Sequence, residues 1–151
     1  MMERTVKNTV RHVGLVTKNI KLSKRFWINT LNFKIQKHAY EKGKEIDRLL
    51  KLKNVEVETY KLKDRNDFVI ELLFFRKLPK KINRKAFNTY NYGFTHIAIK
   101  TTNINKLYKK LKKIGTKFNS DPILSKDKKV KVLYCETPEG TFLEIVEVLS
   151  G

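Results

Sequence analysis

Two segments of the chain share the same order of apolar and polar positions. RHVGLVTKNI (residues 11–20) and THIAIKTTNI (residues 95–104) are each a short strand-like run that leads into a helical pattern. After the second segment, Leu107, Leu111 and Ile114 recur at helical spacing, which predicts an amphipathic helix. Lysines cover its other side, and such a lysine run is typical of a solvated helix face.

The far ends of the two halves also match. DFVIELLFF (residues 67–75) and TFLEIVEVL (residues 141–149) are apolar strands with a glutamate near the middle, and each follows a turn. The strands ahead of those turns are predicted from alternation at VEVETYKL (residues 55–62) and VKVLYCE (residues 130–136). The remaining strands are predicted at residues 33–40 and around Phe118.

This duplicated pattern predicts the fold class. Each half reads β-α-β-β-β, so we expect an α+β fold of two βαβββ modules in a pseudo-twofold arrangement. Residues 1–151 would form a single domain, with the first module at about residues 10–75, a linker at about 76–91 and the second module at about 92–149. A short insertion at residues 45–52 is expected to add a helical turn to the first module.

The composition is that of a folded protein. With 40% apolar and 11% aromatic residues among 151, the chain is too hydrophobic to be disordered. No apolar run approaches the roughly 20 residues that cross a bilayer, and the first residues lack a signal-peptide core. The single cysteine, Cys135, excludes an intrachain disulfide and a thiolate metal cluster. We therefore expect a soluble, unprocessed, cytoplasmic protein without a membrane partner.

The charge is strongly positive. The chain has 34 Lys and Arg against 15 Asp and Glu, a formal net charge of +19. The excess is mostly scattered lysine, whereas arginine, which grips phosphate and guanine through two hydrogen bonds, is scarce. The charge implies attraction to anionic ligands. A basic nucleic-acid-binding protein is an alternative reading, but no recognised nucleic-acid motif supports it.

Strand parity places two histidines on one side of their sheets. Side chains alternate along a strand, so His12 shares a face with Gly14, and His96 shares a face with Ala98. The intervening apolar residues point toward the helix stripes. Both histidines are therefore expected to face away from the helices, beside a small residue that leaves space above the sheet.

Two glutamates complete the set. Glu71 and Glu144 lie among apolar residues of the last strand of each half, where an unpaired carboxylate would be costly. Each half thus repeats a histidine on its first strand and a glutamate on its last. The pseudo-twofold arrangement predicts a metal site formed by His12, Glu71, His96 and Glu144.

Two imidazoles and two carboxylates suit one divalent first-row ion and leave two coordination positions open. The sequence does not select among Zn, Ni, Co, Mn and Fe. It also does not decide whether the four residues meet within one chain or across a dimer. No other cofactor is predicted.

The two repeated strands, the PEGTFLEI ending and the four polar residues together resemble the vicinal oxygen chelate superfamily, the glyoxalase I-like, bleomycin resistance and extradiol dioxygenase proteins. The resemblance covers about residues 10–149. It implies paired βαβββ modules around a shared site and a homodimer. It also implies that His12, Glu71, His96 and Glu144 match the metal-binding positions of glyoxalase I.

The resemblance further implies a metal-dependent lyase or isomerase that removes a proton α to a carbonyl group and stabilises a metal-bound enediolate. A lactoylglutathione lyase-like or an acyl-CoA epimerase-like enzyme would fit, acting on a small anionic or carbonyl substrate. Glu71 argues mildly against the epimerases, which usually have glutamine there. In glyoxalase I-like enzymes a metal-binding glutamate can be the base, which nominates Glu144 and then Glu71.

Alternatives come from the same resemblance. In the epimerases a separate glutamate on a neighbouring strand is the base, and here Glu58 or Glu56 would take that role. A non-catalytic small-molecule-binding module and an extradiol-type dioxygenase are the alternative functions. The full set of two histidines and two glutamates argues against both, because the binding proteins use no metal and the dioxygenases use a two-histidine, one-carboxylate iron site.

Overall fold

The computed structural model describes residues 8–77, 89 and 92–149. They form two four-stranded sheets, each with a helix packed on one face. The strands are β1 (Val13–Val16), β2 (Lys34–Lys42), β3 (Glu56–Lys63), β4 (Val69–Lys77), β5 (His96–Lys100), β6 (Ile123–Leu124), β7 (Val130–Glu136) and β8 (Phe142–Val148). The helices are α1 (Ile20–Lys24), which continues as a π-helical segment (Arg25–Thr30), α2 (Lys44–Leu50) and α3 (Ile104–Lys113).

The two sheets have the same topology. Sheet A has the order β1-β4-β3-β2, and sheet B has the order β5-β8-β7-β6. In each sheet the first strand runs parallel to the last strand of its half, and the other neighbours are antiparallel. The α+β fold of two repeated βαβββ modules is therefore confirmed.

Matching caps begin the helix of each module. The Asn19 side chain accepts a hydrogen bond from the Leu22 backbone N–H at 3.0 Å, and the Asn103 side chain accepts one from the Lys106 N–H at 2.8 Å. Asparagine is a strong N-cap because its side-chain oxygen satisfies a backbone donor that has no partner in the helix. Each helix therefore begins at the same point after its strand, which fixes how the helix lies on the sheet.

One predicted strand was wrong. Phe118 forms only an isolated bridge with Cys135, whereas the fourth strand of sheet B is β6, further along the chain. The Phe118 ring packs edge-on against Tyr108 of α3, with ring centroids 4.6 Å apart. Its apolar character therefore reflects packing on the helix rather than membership of a longer strand. The helical insertion at residues 45–52 is confirmed as α2.

The helix-facing sides of both sheets share one hydrophobic core. Trp27 is fully buried near its centre, with edge-on contacts to Phe26 and Phe33 at centroid distances of 5.2 and 5.3 Å. Its indole N–H donates to the Glu139 carboxylate of the second module, at 3.2 Å from each oxygen. This contact ties the two modules together, because a buried carboxylate is costly unless donors satisfy it.

The domain boundaries stay predictions. β4 extends through Lys77, past the predicted end of the first module, and the linker beyond it falls almost entirely outside the described residues. No helix in the described part of the chain is long and apolar enough to cross a membrane.

Candidate metal-binding site

The strand register places the predicted site residues on the side of each sheet that faces away from the helices, which we call the open face. Gly14 pairs with Glu71 in sheet A, and Ala98 pairs with Glu144 in sheet B. Directly paired residues of neighbouring strands point to the same face. Leu15 points the other way, into the core. The face assignment made from strand parity agrees with this register.

In sheet A the histidine and the glutamate are in contact. His12 Nε2 lies 3.1 Å from Glu71 Oε2, and both side chains are partly buried. The Lys61 ammonium lies 3.8 Å from the other carboxylate oxygen, Oε1. Within the described residues, His12 Nδ1 is buried without a hydrogen-bond partner. The Glu71 carboxylate therefore has an imidazole on one oxygen and an ammonium near the other.

Sheet B repeats the contact with different neighbours. His96 Nε2 lies 3.2 Å from Glu144 Oε2, and His96 Nδ1 hydrogen-bonds with the Thr95 hydroxyl at 2.7 Å. The Tyr134 ring packs edge-on against the imidazole, with centroids 5.3 Å apart. Burial, followed by the charge and the hydrogen bond of Glu144, raises the pKa of Tyr134. The Tyr134 phenol thus stays protonated beside the Glu144 carboxylate.

The nitrogen and oxygen atoms of each pair are spaced like two ligands of one ion. Two ligands about 2.1 Å from one ion and at right angles to each other are about 3.0 Å apart. The observed separations are 3.1 and 3.2 Å. Neutral imidazole and carboxylate are also the donors that divalent first-row ions accept. Each pair therefore fits half of the predicted metal site.

The two pairs do not join within one chain. Over residues 8–77, 89 and 92–149, no three His, Cys, Asp or Glu side chains come close enough to hold an ion. The structure therefore brings His12 to Glu71 and His96 to Glu144 as two separate pairs. The four-residue site stays a prediction.

Glu58, the alternative base, lies on the helix-facing side of sheet A. It is buried, accepts a hydrogen bond from the Tyr60 hydroxyl at 2.6 Å, contacts His38 Nε2 at 2.9 Å and accepts a further bond from Arg76. The Tyr60 hydrogen bond, followed by those of His38 and Arg76, lowers the pKa of Glu58 to about 2 although burial opposes this. A carboxylate with so low a pKa is a weak base. Its position and pKa both argue against a role in proton abstraction.

Two other residues have clear structural roles. Cys135 is fully buried, and burial raises the pKa of its thiol to about 12, as expected of a small core side chain rather than a nucleophile. His38 stacks on Tyr60 with ring centroids 4.2 Å apart, in the middle of β2.

Sequence reasoning missed Lys61 and Tyr134. In the antiparallel pairing, Lys61 lies opposite Glu71 and Tyr134 lies opposite Glu144. Both residues precede their glutamate by the same number of positions. That equal spacing was visible in the sequence, but assigning the residues to the site required the strand register.

Comparison with known proteins identifies the family of the chain. Residues 9–145 match the family model described as the Glyoxalase/Bleomycin resistance protein/Dioxygenase superfamily. No curated protein sequence matches the chain.

Solved structures share the fold. A glyoxalase family protein from Bacillus cereus superposes with a TM-score of 0.87 at 16% identity, covering 99% of this chain and 100% of that one. Glyoxalase I from Zea mays gives 0.63 at 16% identity, covering 91% of this chain and 46% of that one. The trypanothione-dependent glyoxalase I of Leishmania major gives 0.62 at 13% identity, covering 93% and 87%. At such identities the likeness shows the fold and not the substrate.

Proposed function

This chain belongs to the Glyoxalase/Bleomycin resistance protein/Dioxygenase superfamily, and we propose that it is a metal-dependent lyase or isomerase that removes a proton from the carbon next to a carbonyl group. The observation that carries the proposal is the duplicated pair of contacts, His12 with Glu71 and His96 with Glu144, at matching places on the two open faces. A histidine–glutamate contact on one sheet alone would be an ordinary ion pair. Its repetition with the same spacing favours a shared ligand.

We further propose that a second copy of the chain completes the site. The two pairs stay apart in one chain, and each contributes two of the four expected donors. The open faces also carry half-exposed apolar side chains at Val16, Ile123 and Val148, which a second copy would cover. A twofold dimer would place the first module of one copy against the second module of the other and form two equivalent sites.

In this proposal the four side chains hold one divalent ion. His12 and His96 would bind it through Nε2, the atoms that already lie beside the carboxylates. Zn, Ni, Co, Mn and Fe all accept this donor set. A bound ion of this kind supplies a Lewis acid that polarises carbonyl oxygens.

The chain's own residues would move the proton. Glu144 is the first candidate for the base, because the residue opposite it is the neutral phenol Tyr134, whereas the residue opposite Glu71 is a lysine. Tyr134 lies opposite Glu144 in the strand register, and its hydroxyl would help to hold the carboxylate in place. Glu71 is the second candidate, since one of its carboxylate oxygens already faces the Lys61 ammonium at 3.8 Å.

The test begins with the metal content of the purified protein. It continues with deuterium incorporation from heavy water into two probes, the hemithioacetal of glutathione with methylglyoxal and a branched acyl-CoA. The proposal predicts about one divalent ion for each pair of modules and exchange into one probe, lost in Glu144→Gln by roughly a factor of a thousand. Exchange into neither probe, with no bound metal, would instead support a non-catalytic binding module.

Mixing two inactive variants tests the dimer. His12→Ala and His96→Ala each destroy every site on their own. In a mixed dimer, one site lacks both histidines and the other has its full set. If copies exchange freely, half of the dimers are mixed, so about a quarter of the wild-type sites and activity should return. No recovery after verified subunit exchange would place the complete site within one chain.

A further inference from the structure

We infer that Lys61 and Lys37 form an oxyanion subsite beside the His12–Glu71 pair, which binds a carboxylate or phosphate group of the ligand. The inference deepens the proposed function and rests on the open face of sheet A being the ligand-binding face. It names which two of the many lysines face the bound molecule.

The strand register places these residues in one row. Gly14 pairs with Glu71, Glu71 with Lys61, and Lys61 with Lys37, so all four side-chain positions share the open face. The row begins with the smallest residue, which leaves room above β1. It continues with one carboxylate and ends with two ammonium groups.

This row contains more positive than negative charge. Lys61 and Lys37 are directly paired across β3 and β2, and like charges at such positions repel. Among the described residues, Lys61 has one charged partner, Glu71, at 3.8 Å, beyond hydrogen-bonding distance. The Glu71 carboxylate is also shared with His12. An oxyanion placed over the two lysines would relieve their repulsion and accept hydrogen bonds from both.

Burial makes Lys61 more effective than the other lysines. Its side chain is only 22% exposed, whereas the lysines of α3 at Lys106, Lys109 and Lys110 are exposed to solvent. Ion pairs of exposed lysines contribute little, because water screens them and the long side chain loses freedom. A partly desolvated ammonium on a rigid strand binds an anion more strongly.

Sheet geometry sets the distance from the metal-binding pair. Neighbouring strands are about 4.8 Å apart, so Lys61 lies about 5 Å and Lys37 about 10 Å from the Glu71 strand. The subsite therefore fits a small molecule whose anionic group lies about 5–10 Å from its reacting carbonyl. Sheet B has Tyr134 at the position of Lys61, so the ligand would lie with its anionic end over sheet A.

Two chelating probes test this directly. Acetohydroxamate is neutral beyond its chelating oxygens, and adipic monohydroxamate adds a carboxylate at a distance within this range. Titration calorimetry with metal-loaded protein should show about tenfold tighter binding of the anionic probe to wild type. Lys61→Met should abolish the preference and Lys37→Met should reduce it. Lys42→Met removes the same charge from the other face of β2 and should preserve it.

A metal-free experiment separates this inference from the proposed function. Inorganic phosphate and acetate are titrated into metal-depleted protein, and backbone amide shifts are followed by NMR. Saturable shifts of the β2 and β3 amides, lost in Lys61→Met, support the subsite even if no metal binds. The anion that binds with the higher affinity shows whether the subsite prefers phosphate or carboxylate.

Two results would overturn the inference. One is equal binding of the neutral and anionic probes, or a preference that survives both lysine substitutions. The other is phosphate shifts spread equally over α3, which would show binding by surface charge alone. Lys37 is exposed, so Lys37→Met keeps the test valid if Lys61→Met fails to fold.

Discussion

The two open faces share a backbone plan and differ in the residue opposite each glutamate. In sheet A, Lys61 lies opposite Glu71, and in sheet B, Tyr134 lies opposite Glu144. The histidine–glutamate contacts are nearly equal, at 3.1 and 3.2 Å. The modules therefore match at the pair and differ beside it. A duplicated fold can therefore hold two similar histidine–glutamate pairs and still give them different chemical surroundings.

The imidazoles differ as well. His96 Nδ1 hydrogen-bonds with the Thr95 hydroxyl, whereas His12 Nδ1 is buried without a partner among the described residues. A hydrogen bond at one ring nitrogen fixes the tautomer and orientation of the other. Within the described residues, the His96 imidazole therefore has a hydrogen bond that orients it, and the His12 imidazole has none at Nδ1.

The largest difference is expected between the two glutamates. Glu144→Gln should lower proton exchange by about a thousandfold, and Glu71→Gln by about a hundredfold, because only the first removes the proposed base. Exchange rates are measured in heavy water at saturating metal, so that lost metal affinity does not contribute. Equal losses, or a greater loss in Glu71→Gln, would contradict the assignment of Glu144.

Glu58, on the helix-facing side of sheet A, should make the stability of the folded chain sensitive to acid. The pKa of Glu58 is about 2 in the folded chain, below the ordinary value of 4.5. Its contribution to stability is fully present above about pH 4.5 and is lost as the pH falls through about 2.

Tyr60→Phe removes the main hydrogen bond that lowers the pKa of Glu58. The substitution should lower the free energy of unfolding by about 2 kcal/mol at pH 6. At pH 3 the substitution should lower the free energy of unfolding by a smaller amount, because part of the Glu58 contribution is already lost there. Urea unfolding at both pH values measures this. An effect that does not change with pH would show that Tyr60 stabilises the sheet by packing alone.

Tyr134→Phe should sharpen the contrast at Glu144. It keeps the ring contact with His96 and removes only the hydroxyl beside the Glu144 carboxylate. Loss of a neighbouring group that supports a metal-binding side chain costs about tenfold in activity or affinity. We expect a tenfold lower exchange rate with the fold unchanged by circular dichroism. An unchanged rate would mean that the phenol does not position Glu144.

The smallest effect is expected from exchanging the small residues beside the glutamates. A Cβ on Gly14 would lie 3.3 Å from Leu73 Cδ1, a tight contact that a partly exposed side chain can relieve. Gly14→Ala and Ala98→Gly should each change the unfolding free energy by less than about 1 kcal/mol. Thermal unfolding measures both. A severe loss in Gly14→Ala would mean that Leu73 cannot move.

Much of the fold could be predicted because its two halves repeat. Strand parity alone placed His12 and His96 on the correct face, since side chains alternate on any extended strand. Phe118 was misplaced because an apolar residue in a short run can serve a helix contact as well as a strand.

The surroundings of the site were harder to predict. Lys61 resembles the other lysines in the sequence and differs only through the register that sets it opposite Glu71. Glu58 looked like a candidate base because the sequence could not reveal its three hydrogen-bonding partners, Tyr60 on the same strand and His38 and Arg76 on the two neighbouring strands. Such partners depend on side-chain packing, which a single sequence does not specify.

The Trp27 contact with Glu139 has a practical consequence. The chain has one tryptophan, and its indole lies fully buried where the two modules meet. Its fluorescence therefore comes from that junction alone. A red shift of the tryptophan emission that precedes the loss of circular dichroism would show that the two modules separate before their secondary structure unfolds. The intrinsic fluorophore reports this without any label.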